Sequence, residues 1–344
     1  MLPVLEAIPN FSEGRDLALV EELVEVIAGD GAEVLNWSAD PDHNRSVVAF
    51  VGDPATVESA AIAAARFARD HIDLRRHSGA HPRIGALDVL PLIPLHGMTM
   101  DAAARSAERV GRGVSELGIP VYWYGPRSPG ARTLADLRRG GFEALREGFP
   151  AGREPDLGDP DIGPHPSAGV TCVGARPELL AWNVNVDGIE LPRLRKLAAR
   201  MRERGGGFPS LRVLALPVES RGCLQISMNL EDPEGVSPME VFSHIEGWVR
   251  SHGGSVEGTE VVGMLTDPLV LPAAGDRLGL LDPHPSRLLS ARLAAHLSKR
   301  AADVMRDLLD VVAAEGASVP ETVTTAARRA AEAFGISSTP SHES

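Results

Sequence analysis

The chain has 344 residues, of which 43% are hydrophobic and 24% charged, and its formal net charge is −13. The length suggests two compact units rather than one core, and the negative charge argues against binding nucleic acid or an anionic membrane through the overall field. No apolar run approaches the ~20 residues of a membrane-spanning helix, and no basic leader opens the chain, so we expect a cytoplasmic protein.

The first 125 residues alternate strand and helix patterns. Strands are predicted at 3–9, 33–38, 46–51, 88–93 and 120–124, and helices at about 17–29, 54–71 and 99–118. Asp53-Pro54 is a strong helix start, an N-cap residue followed by proline at the first helical position. Pro91 lacks the N–H that a central strand needs, which favours an edge strand or a bulge there.

The same order of elements recurs in the second half of the chain. Strands are predicted at 180–186, 211–218, 223–230 and 255–265, and helices at 191–204 and 237–251. Two βαββαβ units predict an α+β protein with two ferredoxin-like subdomains, each with helices on one face of its sheet. Packing the two open sheet faces together would leave a cleft between the subdomains, which is a common location for ligand sites.

The division into domains follows from this repeat. We place the N-terminal subdomain at 1–178, the C-terminal subdomain at 179–300, a helical extension at 301–336 and a disordered tail at 337–344. Between the halves, residues 148–169 are rich in Pro, Gly and Asp and form either a linker or a functional loop.

The segment 77–88, HSGAHPRIGALD, is the sharpest chemical feature of the chain. Gly79 permits a close backbone approach, Pro82 forces the residues before it into an extended shape, and Arg83 adds a cation. A histidine at such a rigid strand entry is a candidate general base or acid, and we assign this role to His81. For His77 a surface position or a satisfied core position is favoured.

A metal site is not predicted. His77 and His81 are four residues apart, but two ligands at that spacing need a helix, which Gly79 and Pro82 disfavour. Cys172 and Cys223 are the only cysteines, and both lie in apolar stretches, so we expect buried, unreactive thiols. 

Two further segments carry polar residues that suit a ligand. In NFSEGR at 10–15, Asn10 and Ser12 can cap the following helix or, together with its free N–H groups, hold a carboxylate. Residues 40–45 form a turn by composition, and its Asn44 and Arg45 can equally reach a ligand.

These motifs together resemble the formiminotransferase domain of the formiminotransferase-cyclodeaminase family. The resemblance rests on IPNFSEGRD at 8–16, the Asn44-Arg45 pair followed by VVAFVG, HSGAHPRIGALDVLPLIP at 77–94, PVYWYG at 120–125, GVTCVGAR at 169–176 and NVNV at 183–186. LQISMNL at 224–230 and EVVGML at 260–265 are weaker matches, so the similarity covers the chain to about residue 300.

The resemblance implies transfer of a formimino group from formiminoglutamate to N5 of tetrahydrofolate, by a homodimer that holds the folate between two subdomains. It implies that His81 is the catalytic histidine and that tetrahydrofolate is a co-substrate. Arg45 and Arg83 suit substrate carboxylates through bidentate contacts, with Asn10, Ser12 and Asn44 as further substrate-binding residues. The folate loop maps onto ten consecutive residues: Pro160, Asp161, Ile162, Gly163, Pro164, His165, Pro166, Ser167, Ala168 and Gly169.

Three positions depart from the pattern that the resemblance implies. Ala80 stands where an acidic residue is expected beside the histidine, and Asn36 and Ser38 stand where acids are expected in a strand. Asp40 and Asp42 in the adjacent turn are candidates to replace them. Because few residues follow position 300, we expect no cyclodeaminase domain.

Two alternative functions stay open because of these departures. One is a paralogue that transfers a formimino or formyl group to or from another amine. The other is a folate-binding protein without catalytic activity. In each case the partners are small molecules, not nucleic acid or membranes.

Overall fold

The computed structural model describes residues 3–79, 81–125, 128, 132–265, 269–273, 289–315 and 318–333. Val4–Leu269 forms one compact unit, and the described residues from Val270 onward belong to another. The first unit contains a seven-stranded sheet and a four-stranded sheet together with several helices. The predicted α+β class with two sheets is therefore confirmed.

The seven-stranded sheet lies in the N-terminal half. Its strands are β1 (Leu5–Ala7), β2 (Asn10–Phe11), β3 (Glu33–Asp40), β4 (Arg45–Gly52), β5 (Leu87–Pro94), β6 (Val121–Trp123) and β7 (Thr171–Ala175). β3 pairs with β4, β1 and β2 both lie between β4 and β5, and β7 and β6 extend the sheet beyond β5. The pairs β5–β7 and β7–β6 are parallel, and the others are antiparallel.

Three helices pack on one face of this sheet: α1 (Leu17–Gly29), α2 (Pro54–His71) and α3 (Met100–Glu116). α2 begins where the sequence predicts, because the side chain of Asp53 accepts hydrogen bonds from the N–H groups of Ala55 and Thr56. Most of its buried residues are alanines, which let the helix approach the sheet closely. On the opposite face, the short helix α4 (Leu134–Leu137) packs over β5, β6 and β7.

Pro91 does not lie in an edge strand, as one reading of the sequence had it. β5 is an interior strand with neighbours on both sides. The missing N–H is tolerated because Pro91 lies opposite the break between β1 and β2, where its carbonyl accepts from the N–H of Ile8 at 3.2 Å. The register of β2 on β5 also shifts at Asp88, which pairs with no β2 residue.

The four-stranded sheet lies in the C-terminal half of the same unit. It contains β8 (Leu180–Asp187), β9 (Leu211–Val218), β10 (Cys223–Leu230) and β11 (Ser255–Val261), in the antiparallel order β11-β8-β10-β9. α5 (Leu191–Met201) and α6 (Pro238–Ser251) pack on one face, against side chains such as Val184 and Ile226. Because strand residues alternate between faces, Asn183, Asn185 and Gln225 project from the helix-free face.

The second unit includes the helices α7 (Leu289–Glu315) and α8 (Glu321–Ala333), which contact each other. None of the helices in the described ranges is both long and apolar enough to cross a membrane. Of the two cysteines, Cys172 is buried, and burial raises the pKa of its thiol to about 12. Cys223 is only partly buried, contrary to the expectation.

Candidate active site

His81 is half-buried close to the start of β4. Its Nδ1 atom lies 2.8 Å from the carbonyl oxygen of Pro82 and 3.3 Å from Nη1 of Arg45. A carbonyl only accepts and a guanidinium only donates, so one neutral tautomer cannot satisfy both neighbours. The shorter contact favours a proton on Nδ1 that is donated to Pro82. The lone pair is then on Nε2, for which no bond to a described residue is found.

A buried carboxylate shared by two arginines lies next to this ring. Asp88 is fully buried in β5 and accepts from Nη1 of Arg45 at 2.8 Å and from Nη2 of Arg138 at 2.5 Å. Its other oxygen accepts from the N–H of Ile84 at 2.9 Å. Burial would raise the pKa of Asp88, but Arg138 and Arg45 hold it well below its usual range. Two guanidinium groups against one carboxylate leave the cluster with a net positive charge.

This positive cluster determines the charge state of His81. Burial lowers the pKa of His81 well below its ordinary value of 6.5, and the neighbouring Arg45 and Arg138 lower it further. The imidazole is therefore neutral at pH 7, with a free lone pair on Nε2. A neutral imidazole beside fixed cations is suited to accept a proton rather than to donate one at the start of a reaction.

Asn10 holds Arg45 in place. Its Oδ1 accepts from Nε of Arg45 at 3.1 Å and from Nη2 at 2.8 Å. Ser12 is buried and donates its hydroxyl proton to the carbonyl of Gly85 at 2.7 Å. The expectation that Asn10 or Ser12 caps the first helix is wrong, because Asp16 is the N-cap residue.

Arg83 binds side chains of the protein itself. Nη1 and Nη2 donate to the two carboxylate oxygens of Glu143 at 2.9 and 2.8 Å, and Nε donates to Nδ1 of His77 at 2.8 Å. Nε2 of His77 must then carry the proton, and it donates to the carbonyl of Asn44 at 2.8 Å. Both ring nitrogens of His77 are occupied, in agreement with a satisfied structural residue.

Very close backbone packing joins the turn 40–45 to the histidine segment. A Cβ atom on Gly79 would lie 2.2 Å from the carbonyl oxygen of His43, so this position needs glycine. Asn44 has a φ of +47°; its side chain accepts from the N–H of Gly14 at 3.0 Å and donates to the carbonyl of Ser78 at 3.1 Å. The polar groups of this asparagine thus tie three loops together.

The segment 160–169 folds against the backbone that enters β5. The N–H of Ala86 donates to the carbonyl of Ala168 at 2.8 Å. His165 and Gly169 exchange two backbone hydrogen bonds of 3.0 and 2.9 Å, which close the turn. The predicted folate loop therefore contacts the segment that contains His81. Among the described residues, no ion pair joins the side chains of this loop to Arg45 or Asp88.

Polar residues also lie buried on the helix-free face of the C-terminal sheet. Gln225 is 1% exposed; its Nε2 donates to Oδ1 of Asn185 at 3.1 Å, and its Oε1 has no partner among the described residues. Asn183 is buried on the same strand as Asn185. Such a buried carbonyl oxygen needs a hydrogen-bond donor.

Several residues of this site were not predicted from the sequence. Asp88 had a signal, since an acidic residue between Leu87 and Val89 in an apolar strand must have a buried partner. Arg138 and Glu143 had no such signal, because they lie 50 and 60 residues after their partners Asp88 and Arg83, in a segment without periodicity. His43 was read only as part of a turn.

Two of the three positions at which an acidic residue was expected lie among the described residues. Asn36 and Ser38 are exposed on β3, and Ala80 lies outside the described residues. Asp42 accepts hydrogen bonds from the N–H and the hydroxyl of Ser220, which link the turn 40–45 to the segment between β9 and β10 of the C-terminal sheet. Among the described residues, no three His, Cys, Asp or Glu side chains are grouped closely enough to hold a metal ion.

The amino-acid sequence is similar to one family model and to several known proteins. Residues 4–176 match the family model of the formiminotransferase domain, N-terminal subdomain. A glutamate formimidoyltransferase of Streptococcus pyogenes serotype M1 is 38% identical over 272 residues, which cover 77% of this chain and 89% of the relative. One of Thermoplasma acidophilum is 34% identical over 280 residues, 79% of this chain and 91% of the relative. A formimidoyltransferase-cyclodeaminase of Sus scrofa is 36% identical over 312 residues, 85% of this chain but 57% of the relative.

Proposed function

Because the chain belongs to the formiminotransferase family and is a glutamate formimidoyltransferase-like enzyme, we propose that it transfers a formimino group from N-formimino-L-glutamate to tetrahydrofolate. The observation that carries this proposal is the neutral His81, with a free Nε2, beside the positive cluster of Arg45, Arg138 and Asp88. Formimino transfer needs a proton acceptor and a place for an anionic substrate, and this cluster supplies both.

His81 is the general base in this proposal. Tetrahydrofolate supplies the amine that accepts the formimino carbon. That amine loses a proton as its new bond forms, and Nε2 of His81 takes it. The hydrogen bond from Nδ1 to Pro82 keeps the ring in the tautomer that this step needs. A base of this kind contributes roughly 10²–10⁴-fold to the rate.

The glutamate part of the donor carries two carboxylates, and we assign one to the positive cluster. Arg45 and Arg138 share Asp88 and keep excess positive charge for a second anion. Arg83 can bind a substrate carboxylate only by exchanging its bidentate partner Glu143. Asn10, Ser12 and Asn44 act in this proposal by holding Arg45 and the loops in place.

The helix-free face of the C-terminal sheet suits the folate. The pterin ring of tetrahydrofolate has N–H donors along its edge, and Oε1 of Gln225 is a buried acceptor without a partner. We propose that the two sheets are ferredoxin-like subdomains whose open faces enclose the folate, with residues 160–169 at the entrance. The β11-β8-β10-β9 order and the contact between Ser220 and Asp42 support this arrangement.

One assay tests the function. The protein is mixed with tetrahydrofolate and N-formimino-L-glutamate, and the formation of the folate product is followed. We expect turnover that His81→Gln removes without changing the melting temperature. No turnover at high protein concentration would reject this donor. A panel of other formimino and formyl donors then tests the paralogue, and calorimetric folate binding without any turnover would identify a binding protein.

The folate site has its own measurement. Gln225→Leu should weaken tetrahydrofolate binding in calorimetry, because leucine offers no acceptor to the pterin edge. Exposed Asn229 lies on the same strand, and Asn229→Leu is the matched control. Equal dissociation constants for the two variants would show that Gln225 does not contact the folate.

A further inference from the structure

We propose that His43 is a second proton-transfer residue of this site, which protonates the amine nitrogen that leaves the formimino carbon. This inference rests on the proposed function, since it concerns the second half of the same reaction. It assigns a role to a buried imidazole that the transfer described above does not use.

The surroundings of His43 set it apart from an ordinary core histidine. The side chain is buried, with 7% of the residue exposed, yet its Nε2 has no hydrogen-bond partner among the described residues. Nδ1 lies 3.7 Å from a carboxylate oxygen of Asp40. Because Nδ1 is on the Asp40 side of the ring, Nε2 lies on the opposite edge. A buried polar atom of this kind costs free energy unless a partner arrives.

The ring of His43 lies next to that of His81. The two ring centroids are 5.9 Å apart, with an angle of 50° between the planes. The backbone at Gly79 packs directly against the carbonyl of His43, and this contact holds the segment of His81 next to His43. The two imidazoles therefore belong to one site, although they are 38 positions apart in the chain.

The position of His43 is fixed by a network that extends to the other sheet. Oδ1 of Asp40 accepts from the N–H groups of Asp42 and His43 at 2.9 and 2.8 Å, which shapes the turn. Asp42 is in turn held by the backbone and hydroxyl of Ser220. A catalytic group needs such a rigid support to keep its geometry.

The chemistry calls for a second group because His81 starts as a neutral base. In the transfer, a C–N bond forms to the acceptor amine and the C–N bond to the glutamate nitrogen breaks. Nε2 of His81 takes the proton that the acceptor amine loses. The protonated Nε2 of His43 gives its proton to the glutamate nitrogen, which departs as a neutral amine. The proton on His81 then passes to His43, directly or through solvent, and restores the starting state.

Asp40 has a defined part in this scheme. Its carboxylate gives the imidazolium form of His43 a counter-charge at 3.7 Å. The acids expected at positions 36 and 38 are absent, and Asp40 acts through His43 in their place. The site thus combines one imidazole beside two arginines with another whose Nδ1 faces a carboxylate.

Changing the leaving amine separates acid catalysis from a structural role. His43→Gln should lower kcat with N-formimino-L-glutamate about 100-fold or more, with little change in KM. A donor whose leaving group is an arylamine, such as N-formimino-3-aminobenzoate, needs less protonation on departure. With that donor, His43→Gln should retain activity close to that of the unaltered protein, whereas His81→Gln should be slow with both donors.

A control variant and two contrary results complete the test of His43. His71→Gln is the matched control, because His71 is an exposed histidine at the end of α2, and it should behave as the unaltered protein with both donors. Equal losses for His43→Gln on the two donors would mean that His43 only supports the structure and would overturn the proposal. Unchanged kcat of His43→Gln with both donors would also overturn the proposal.

A second measurement does not depend on turnover. In ¹⁵N NMR spectra of the full chain, adding glutamate together with tetrahydrofolate should move the Nε2 signal of His43 and leave the signals of His71 in place. An unmoved His43 signal at saturating glutamate would overturn the inference. If no donor is turned over at all, the proposed function fails, and the NMR result still decides whether His43 contacts the amine.

Discussion

Replacing Asp88 by asparagine tests whether the buried charge cluster holds the active site together. Asparagine has nearly the same shape, and its Oδ1 can still accept from the N–H of Ile84. It removes, however, the negative charge that Arg45 and Arg138 share. The side chains of these arginines are only 11% and 12% exposed, so water cannot replace the lost partner.

The expected magnitude follows from this geometry. Removing one partner of a buried ion pair costs about 3–5 kcal/mol, because an uncompensated charge stays buried. At roughly 2 °C per kcal/mol for a protein of this size, Asp88→Asn should lower the melting temperature by about 6–10 °C. Because the pKa of Asp88 is lowered in the folded state, its contribution is complete above about pH 3.9 and decreases as the pH falls toward the folded-state pKa.

Thermal unfolding at pH 7 measures the loss of melting temperature in Asp88→Asn, and unfolding at pH 3 to 4 measures how far that loss decreases in acid. Glu246→Gln is the control, since Glu246 pairs with Arg250 on the exposed surface of α6 and should cost at most about 0.5 kcal/mol. The double variant Asp88→Asn/Arg138→Gln should recover part of the loss, because one unpaired cation is removed. A melting temperature of Asp88→Asn that matches the control would refute this account of the cluster.

Three further predictions concern activity. The acid limb of kcat/KM should have its midpoint below pH 6.5, because the pKa of His81 is lowered and the base must be neutral; a pH profile with a midpoint at 6.5 or above would contradict this. Gly79→Ala should lower kcat/KM at least tenfold and reduce the melting temperature, because the new Cβ displaces the carbonyl of His43; unchanged kinetics would show that the loops can separate freely. Glu143→Gln should lower KM for the donor if Arg83 binds its carboxylate, and steady-state kinetics with an unchanged KM would leave Arg83 a structural role.

Local patterns in the sequence predicted most elements of the fold. The Asp53-Pro54 start of α2 was correct because capping depends on neighbouring residues only. The strands and helices predicted at 33–251 were found in the predicted order for the same reason, since periodicity reports which face of each element is buried. The strands β2 and β7 and the short helix α4 were not predicted. The edge-strand alternative for Pro91 was wrong, because the residues opposite Pro91 in the sheet, at the break between β1 and β2, cannot be read from its neighbours in the chain.

In the candidate site, too, local features were predicted and contacts between distant residues were not. The histidine segment was recognisable because its glycine, proline and histidine chemistry is contiguous. The structure places Arg45 against His81 and Asn10 against Arg45, whereas their predicted role in binding substrate stays a prediction. Their mutual arrangement was not foreseen. Asn10 binds Arg45 rather than a helix N-terminus, because the helix starts only at Leu17.

Residue type and local spacing thus determined the α+β class and most strand and helix positions, and they pointed to His81 as the reactive candidate. Only the tertiary structure decided what surrounds that histidine. Asp88 and Arg138 are 50 positions apart, and His43 and His81 are 38 positions apart, yet each pair is in contact. Burial and the charges of such distant residues determine the pKa of an imidazole, and neither can be read from the residues next to it in the chain.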